Sequence, residues 1–244
     1  LVLQTVLPAL MLAGGDSVVS VEGGTHNSKA PPFAFLSQAF LPLIRKMGPQ
    51  VSLELVRPGF YPAGGGRIEV SIQPATSLSP LSILEVGARQ PLRAQALVSA
   101  LPRGVGHREI LTLRDHIDLE WSDTDIILIE QPRGPGNALH VFAPCETVTE
   151  VFTGFGERKK RAEEVAEEVA KEVLAYLEMD VPVGEHLADQ LLLPMALAGG
   201  GRFRATPLSL HTTTNIEVIQ TFLDVPFAVH PLKEEGGPVE VVVG

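Results

Sequence analysis

Leu1 to Leu12 is an almost unbroken apolar run ending at Gly14-Gly15, which reads as a buried helix stopped by glycine. No Ser, Thr, Asp or Asn stands in front of it as a cap, so the expectation is a chain that starts mid-domain, with residues missing before Leu1. Ser17 to Val21 alternates apolar and polar positions as a short strand. Gly23 to Pro32 is a glycine-rich loop. Phe33 to Met47 then places apolar residues at helical spacing until Gly48-Pro49 stops it. Val51 to Val56 and Arg67 to Ile72 are β-rich runs joined by the glycine-rich loop Arg57 to Gly66. The order is helix, strand, helix, strand, strand.

That order returns near the C-terminus together with the residues themselves. Gln4-Thr5-Val6-Leu7-Pro8 through Ala13-Gly14-Gly15 matches Gln190-Leu191-Leu192-Leu193-Pro194 through Ala198-Gly199-Gly200 with one residue deleted. The alignment carries His26 onto His211, so the two histidines are expected to occupy equivalent places. After His211 come a helix and two β-rich runs, Phe227 to His230 and Val239 to Val243. Repeats of one supersecondary unit bury their faces against each other, so the two copies are expected to pack side by side as helices on sheets.

The segment between the copies has its own elements. They are a β-like run at Leu92 to Leu101, a helix from His107 to Asp118, strands at Asp125 to Glu130 and Ala138 to Ala143, and a long helix from Glu157 to Leu177. In the long helix Val165, Val169, Val173 and Tyr176 share one face. Glu163, Glu164, Glu167, Glu168 and Lys171 share the other, read as a solvated face. The predicted organisation is α/β (α+β), with a first unit at 1–84, a smaller inserted domain at 85–183 and a second unit at 184–244.

Composition narrows the function. With 19 Lys+Arg against 29 Asp+Glu the net charge is −10, which argues against a long basic groove coating nucleic acid and leaves a short contact with one nucleic-acid end open. The single Cys145 has no partner for an intrachain disulfide, and no secretory leader pattern opens the chain, so a reducing, cytoplasmic setting is expected. The apolar run at the start is too short, at 13 residues with Gln4, Thr5 and Pro8 inside it, to cross a hydrocarbon core that needs about 20 apolar residues. No membrane partner is expected.

There is no Gly-x-x-x-x-Gly-Lys-Ser/Thr loop, no His-Glu-x-x-His helix and no Cys-x-x-Cys pair. What remains are polar residues at element ends. Thr214 and Glu217 have capping-box spacing, which predicts a helix opening there with His211 just before its N-terminus. A neutral imidazole at that place is a competent nucleophile toward bound phosphate, while the plainer reading has it hydrogen-bonding loop backbone. His186, Asp189 and Gln190 share one face in the first turns of a helix beginning after Pro182-Val183-Gly184. Asp189 could take a divalent cation or a ribose hydroxyl and Gln190 a base edge or phosphate, while the plainer reading is an exposed polar turn at a helix start.

Four stretches together resemble the RNA 3'-terminal phosphate cyclases: Gly23-Gly24-Thr25-His26-Asn27 with Ala30-Pro31-Pro32; Gly59 to Gly66; His186-Leu187-Ala188-Asp189-Gln190 through Gly199; and His211-Thr212-Thr213-Thr214-Asn215-Ile216. They run in the family's order along the whole chain. The resemblance implies tandem βαβαββ repeats with a smaller inserted domain, and it covers the part after the family's first repeat. It implies an ATP-dependent ligase of RNA processing, in which a histidine takes AMP from ATP, passes it to an RNA 3'-phosphate, and the 2'-OH closes a 2',3'-cyclic phosphate. ATP and a divalent metal, Mg²⁺ or Mn²⁺, are the implied cofactors and an RNA 3'-phosphate end the implied partner. Carried over by position, His211 matches the adenylated nucleophile. Gln4, Pro31, His186, Leu187, Ala188, Asp189 and Gln190 match positions around the nucleotide, with Asp189 the candidate metal ligand. Gln4 corresponds to Gln190 by the repeat, so both amides are expected in one cleft. The competing class is a non-catalytic cyclase-like assembly factor in ribosome biogenesis; a plainer option is a repeat protein whose polar loops cap helices.

Overall fold

In the computed structural model, which describes residues 1–233 and 236–244, the two periodicities become three sheets with helices laid against them. The first unit contains α1 (Val2–Leu10), β1 (Ser17–Gly23), a helical stretch over 33–46, β2 (Gln50–Arg57) and β3 (Gly66–Gln73). The helical stretch is α2 (Phe33–Phe35), a π-helical turn (Leu36–Phe40) and α3 (Leu41–Lys46). Pro42 lies just past the wide turn, where its missing N–H and its ring break the regular hydrogen-bond ladder. β3 pairs antiparallel with β1 on one side and β2 on the other, setting Val19 and Leu53 on either side of Val70.

β4 (Leu81–Ile83) precedes the insert, which consists of β5 (Arg93–Ser99), α4 (Gly104–His116), a short 3₁₀ turn (Trp121–Asp123), β6 (Thr124–Leu128), β7 (Gly136–Pro144), β8 (Thr149–Phe155) and α5 (Ala162–Met179). Its sheet runs β6-β5-β7-β8. Ile110 and Leu113 of α4 pack with Val165, Val169 and Val173 of α5 over Ala96, Leu139 and Val141 of the sheet, forming a core of the insert's own. The helix expected from Glu157 begins instead at Ala162, because Arg161 caps it reciprocally with Glu164 and residues 157–161 are left as a loop.

The second unit contains α6 (Glu185–Leu197), β9 (Gly201–Ala205), α7 (Leu210–Phe222), β10 (Phe227–Pro231) and β11 (Val239–Val243). Its last strand pairs antiparallel with both others, as in the first unit, and β4 adds to it as a parallel neighbour of β9. The duplicated sequence thus has a duplicated topology. Leu7, Ile44 and Val70 of the first unit share one apolar cluster with Leu187, Leu191, Phe203 and Val241 of the second, so each copy covers the other's apolar face as amphipathic layers must. No helix among the described residues is long and apolar enough to cross a membrane.

Candidate active site

α6 and α7 pack against each other, and their polar residues converge where they meet. The Asn215 amide of α7 donates to the Asp189 backbone carbonyl at 3.2 Å and to Asp189 Oδ1 at 3.0 Å. Gln190 Nε2 donates to Asp189 Oδ2 at 2.8 Å. Gln4 Nε2 on α1 in turn donates to Gln190 Oε1, so the two amides matched by the repeat meet across the join of the two units. Gln4 Oε1 is buried with no donor in reach, which leaves an acceptor open at this junction.

The repeated prolines bear on the same spot. Pro8 and Pro194 lie inside α1 and α6, and each lacks the N–H that would bond the carbonyl four residues back. Those carbonyls belong to Gln4 and Gln190. Both glutamines are therefore released from the helical ladder on the backbone as well as presented by their side chains.

His211 stands in the first turn of α7, not before it. The helix opens at Leu210 with Ser209 as N-cap, its hydroxyl accepting from the Thr212 amide at 3.3 Å, so the Thr214 and Glu217 pair does not start the helix. Ser209 wins because its cap adds a turn whose Thr212 side chain is fully buried. The consequence for phosphate is favourable: the Leu210 and His211 amides have no helical acceptor, and no acidic residue occupies the first turn. The His211 ring is exposed beside them.

The expected equivalence of His26 and His211 fails in three dimensions. His26 lies in the loop between β1 and α2, buried to 2% exposure and stacked on Phe60 with ring centroids 5.0 Å apart. Its Nδ1 lies 2.8 Å from Thr25 Oγ1, which also accepts from the Gly59 amide at 2.9 Å. Burial pushes the imidazole down to about 4, so it is neutral near pH 7. The neck of the 57–66 loop is closed by Gly59 and Gly66: a side chain at Gly59 would place its Cβ 2.2 Å from the Gly66 nitrogen. The loop's Phe60 then packs on Gly136 and Ala138 of the insert. This histidine and its signature loop join the first unit to the insert.

Of the other expected residues, Leu187 and Ala188 have fully buried side chains, and the Ala188 amide already donates to the Gly184 carbonyl at 3.0 Å. His186 is exposed in the first turn of α6, close to Glu172 of α5. Desolvation raises the Glu172 carboxyl above the usual range and His186 opposes the shift. Pro31 is half-buried in the loop before α2 and takes no part in the hydrogen-bonded group. Among the described residues no three His, Cys, Asp or Glu side chains gather in a metal-binding group. Asp189 therefore offers one carboxylate, the number Mg²⁺ commonly takes from protein when phosphates and water complete its shell.

Sequence reading named Asn215 among the polar residues after His211 but gave it no role, since its partner lies 26 residues away on another helix. It also passed over Glu150, whose Oε1 accepts from the Gly184 amide at 2.5 Å and ties the insert to the start of α6. Burial pushes that carboxyl up to about 7.

A family profile described as RNA 3'-terminal phosphate cyclase matches residues 1–229, nearly the whole chain. The chain belongs to the RNA 3'-terminal phosphate cyclase family. It is 49% identical over 229 residues to the RNA 3'-terminal phosphate cyclase of Koribacter versatilis (strain Ellin345), covering 94% of this chain and 64% of that protein. To the proteins of the same name from Pseudomonas fluorescens Pf-5 and Salmonella paratyphi C it is 47% and 45% identical, covering 96% and 100% of this chain and 68% and 69% of theirs. The chain spans about two thirds of the length of the curated cyclases it matches.

Proposed function

We propose that the protein is an ATP-dependent RNA 3'-terminal phosphate cyclase working through a covalent histidine–AMP on His211. The observation that carries the reading is the join of α6 to α7: Asn215 holds Asp189 and Gln190 beside the helix whose first turn presents His211. Membership of the cyclase family supports the same chemistry.

In the first step an unprotonated imidazole nitrogen of His211 attacks the α-phosphorus of ATP. An N–P bond forms as the bond to the bridging oxygen breaks, and pyrophosphate leaves. The free amides of Leu210 and His211 and the dipole of α7 oppose the charge that builds on the attacked phosphate. A terminal oxygen of the RNA 3'-phosphate then attacks the same phosphorus, the N–P bond breaks, and the imidazole is released. Finally the 2'-OH oxygen attacks the RNA phosphorus, its proton passing to solvent, and AMP leaves as the cyclic phosphate closes. Gln4 and Gln190, with their released carbonyls, supply donors and acceptors for the adenosine half of the substrate. Asp189 is the residue that would hold a divalent cation, whose contribution is to neutralise phosphate charge.

The test is to incubate the protein with ATP labelled on the α-phosphate and Mg²⁺ or Mn²⁺, then separate protein from nucleotide. An acid-labile, alkali-stable label is expected on the wild type and none on His211→Ala. Label that survives the substitution overturns the assignment. The same experiment separates the enzyme from a non-catalytic assembly factor, which takes no label.

A further inference from the structure

The insert carries a basic cleft that the proposed nucleotide chemistry does not use. Four consecutive cations, Arg158-Lys159-Lys160-Arg161, occupy the loop between β8 and α5 in a chain whose net charge is −10. Lys159, Lys160 and Arg161 line a cavity of about 380 Å³ with Arg108 of α4 and Asn137 of β7. The loop lies tight on the Asn137 amide: a side chain at Gly156 would place its Cβ 1.8 Å from Asn137 Oδ1. Lys159 is held at φ 75°, a left-handed conformation that costs a residue with a Cβ. The fold thus keeps a lysine where glycine would be easier.

The lining of the cleft holds four cations, Arg108, Lys159, Lys160 and Arg161, against one carboxylate, Glu157. Arg108, Lys160 and Arg161 pair with Glu163, Glu168 and Glu164, surface contacts that a phosphate can displace. Lys159 forms no ion pair among the described residues. Beneath, Asn137 Nδ2 donates to the wholly buried Glu109, whose other oxygen has no partner. Burial pushes that carboxyl up to about 8, so the floor is largely uncharged near pH 7.

α5 links the cleft to the start of α6. α5 begins at it, at Ala162, and ten residues further along Glu172 faces His186 on α6. At the helical rise the cleft and the His186 end of α6 are about 15 Å apart along α5.

We propose that the cleft binds a phosphodiester of the RNA chain a few nucleotides upstream of the 3'-phosphate end. The inference rests on the RNA-cyclase reading of the His211 site. A phosphate contact of this kind holds the RNA without reading its sequence.

The test compares cyclisation by the complete protein of a ten-nucleotide RNA 3'-phosphate and of a dinucleotide 3'-phosphate too short to reach the cleft. Two variants are used, Lys159→Gly and Lys159→Ala with Lys160→Ala. Glycine suits the left-handed position, so Lys159→Gly removes the cation without a folding cost. The expected result is a KM for the long RNA raised about tenfold relative to the short one, with the salt dependence of long-RNA binding shallower by about 0.7 per lysine removed. Equal changes for the two lengths overturn the proposal, as does no change, or equal competition for the cleft by polyglutamate and by RNA. If the wild type takes no AMP from ATP, the cyclase reading fails on its own. Lysine-dependent retention of the ten-nucleotide RNA over the dinucleotide in a binding assay then decides the cleft separately, its absence overturning it.

Discussion

The two histidines that the repeat aligns have opposite surroundings. His211 is exposed in the first turn of α7 beside free amides, whereas His26 is buried, stacked on Phe60 and 6.1 Å in centroid separation from the buried His140 of the insert. One unit enters its second helix at once, through Ser209. The other first makes a loop that the insert covers. A duplicated motif has thus been divided in its surroundings, one copy presenting an open imidazole and the other fastening the insert. Exposure decides which, because a buried neutral imidazole has no access to a phosphate whatever its chemistry.

This contrast can be broken from either side. The largest effect is expected at His211: replacement by alanine lowers AMP incorporation about a thousandfold, to background in a labelling gel, whereas His26→Asn leaves label on whatever fraction folds. Label lost equally from both would mean the two sites act together. On the buried side, Phe60→Ala removes the ring that spans His26 and the insert sheet, and is expected to cost about 3 to 5 kcal/mol in chemical denaturation. A cost below about 1 kcal/mol would show that the loop does not hold the insert.

Asn215→Ala probes how His211 is set rather than what it does. With its two bonds to Asp189 gone, α7 is free to shift against α6, and a fall in AMP transfer of about ten- to a hundredfold is expected with ATP affinity changed much less. Equal losses in both, read by calorimetry beside the labelling rate, would assign Asn215 to nucleotide binding instead.

The smallest effect is read in pH. Glu109, pushed up to about 8, and Glu150, to about 7, keep protons in the fold that the unfolded chain releases near 4.5, so their contribution is lost as pH rises through these values. His26 and His140, lowered to about 4 and 3, act in the opposite sense, and their contribution is lost as pH falls below 6.5. Above pH 6.5 the histidines are therefore silent. Between 6.5 and 8 the wild type should lose stability and Glu109→Gln should lose about 1 to 2 kcal/mol less, visible in melting temperature. Parallel curves would mean that Glu109 is ionised in the fold.

Much of the architecture could be read along the chain, because helical and strand periodicities are local. The duplication was read from residue identity, and its topology follows it strand for strand. β4 and β8 leave no clear periodic signal in the sequence, for physical reasons. β4 has three residues, and β8, at the edge of its sheet, does not alternate cleanly. Ser209 and Thr214 are both good caps by sequence, and only the burial of Thr212 settles that α7 starts from Ser209.

By itself the sequence determined the kinds of element, their repetition and the pairing of Gln4 with Gln190 by correspondence, since each depends on neighbours within a helix or strand length. Only the tertiary structure decided that those glutamines touch across 186 residues, that Asn215 braces Asp189, that His26 is sealed while His211 is open, and that the cations of 158–161 rim a cleft. Those outcomes depend on which faces the packed layers hide from water, and that is a property of the assembled core rather than of any stretch of chain.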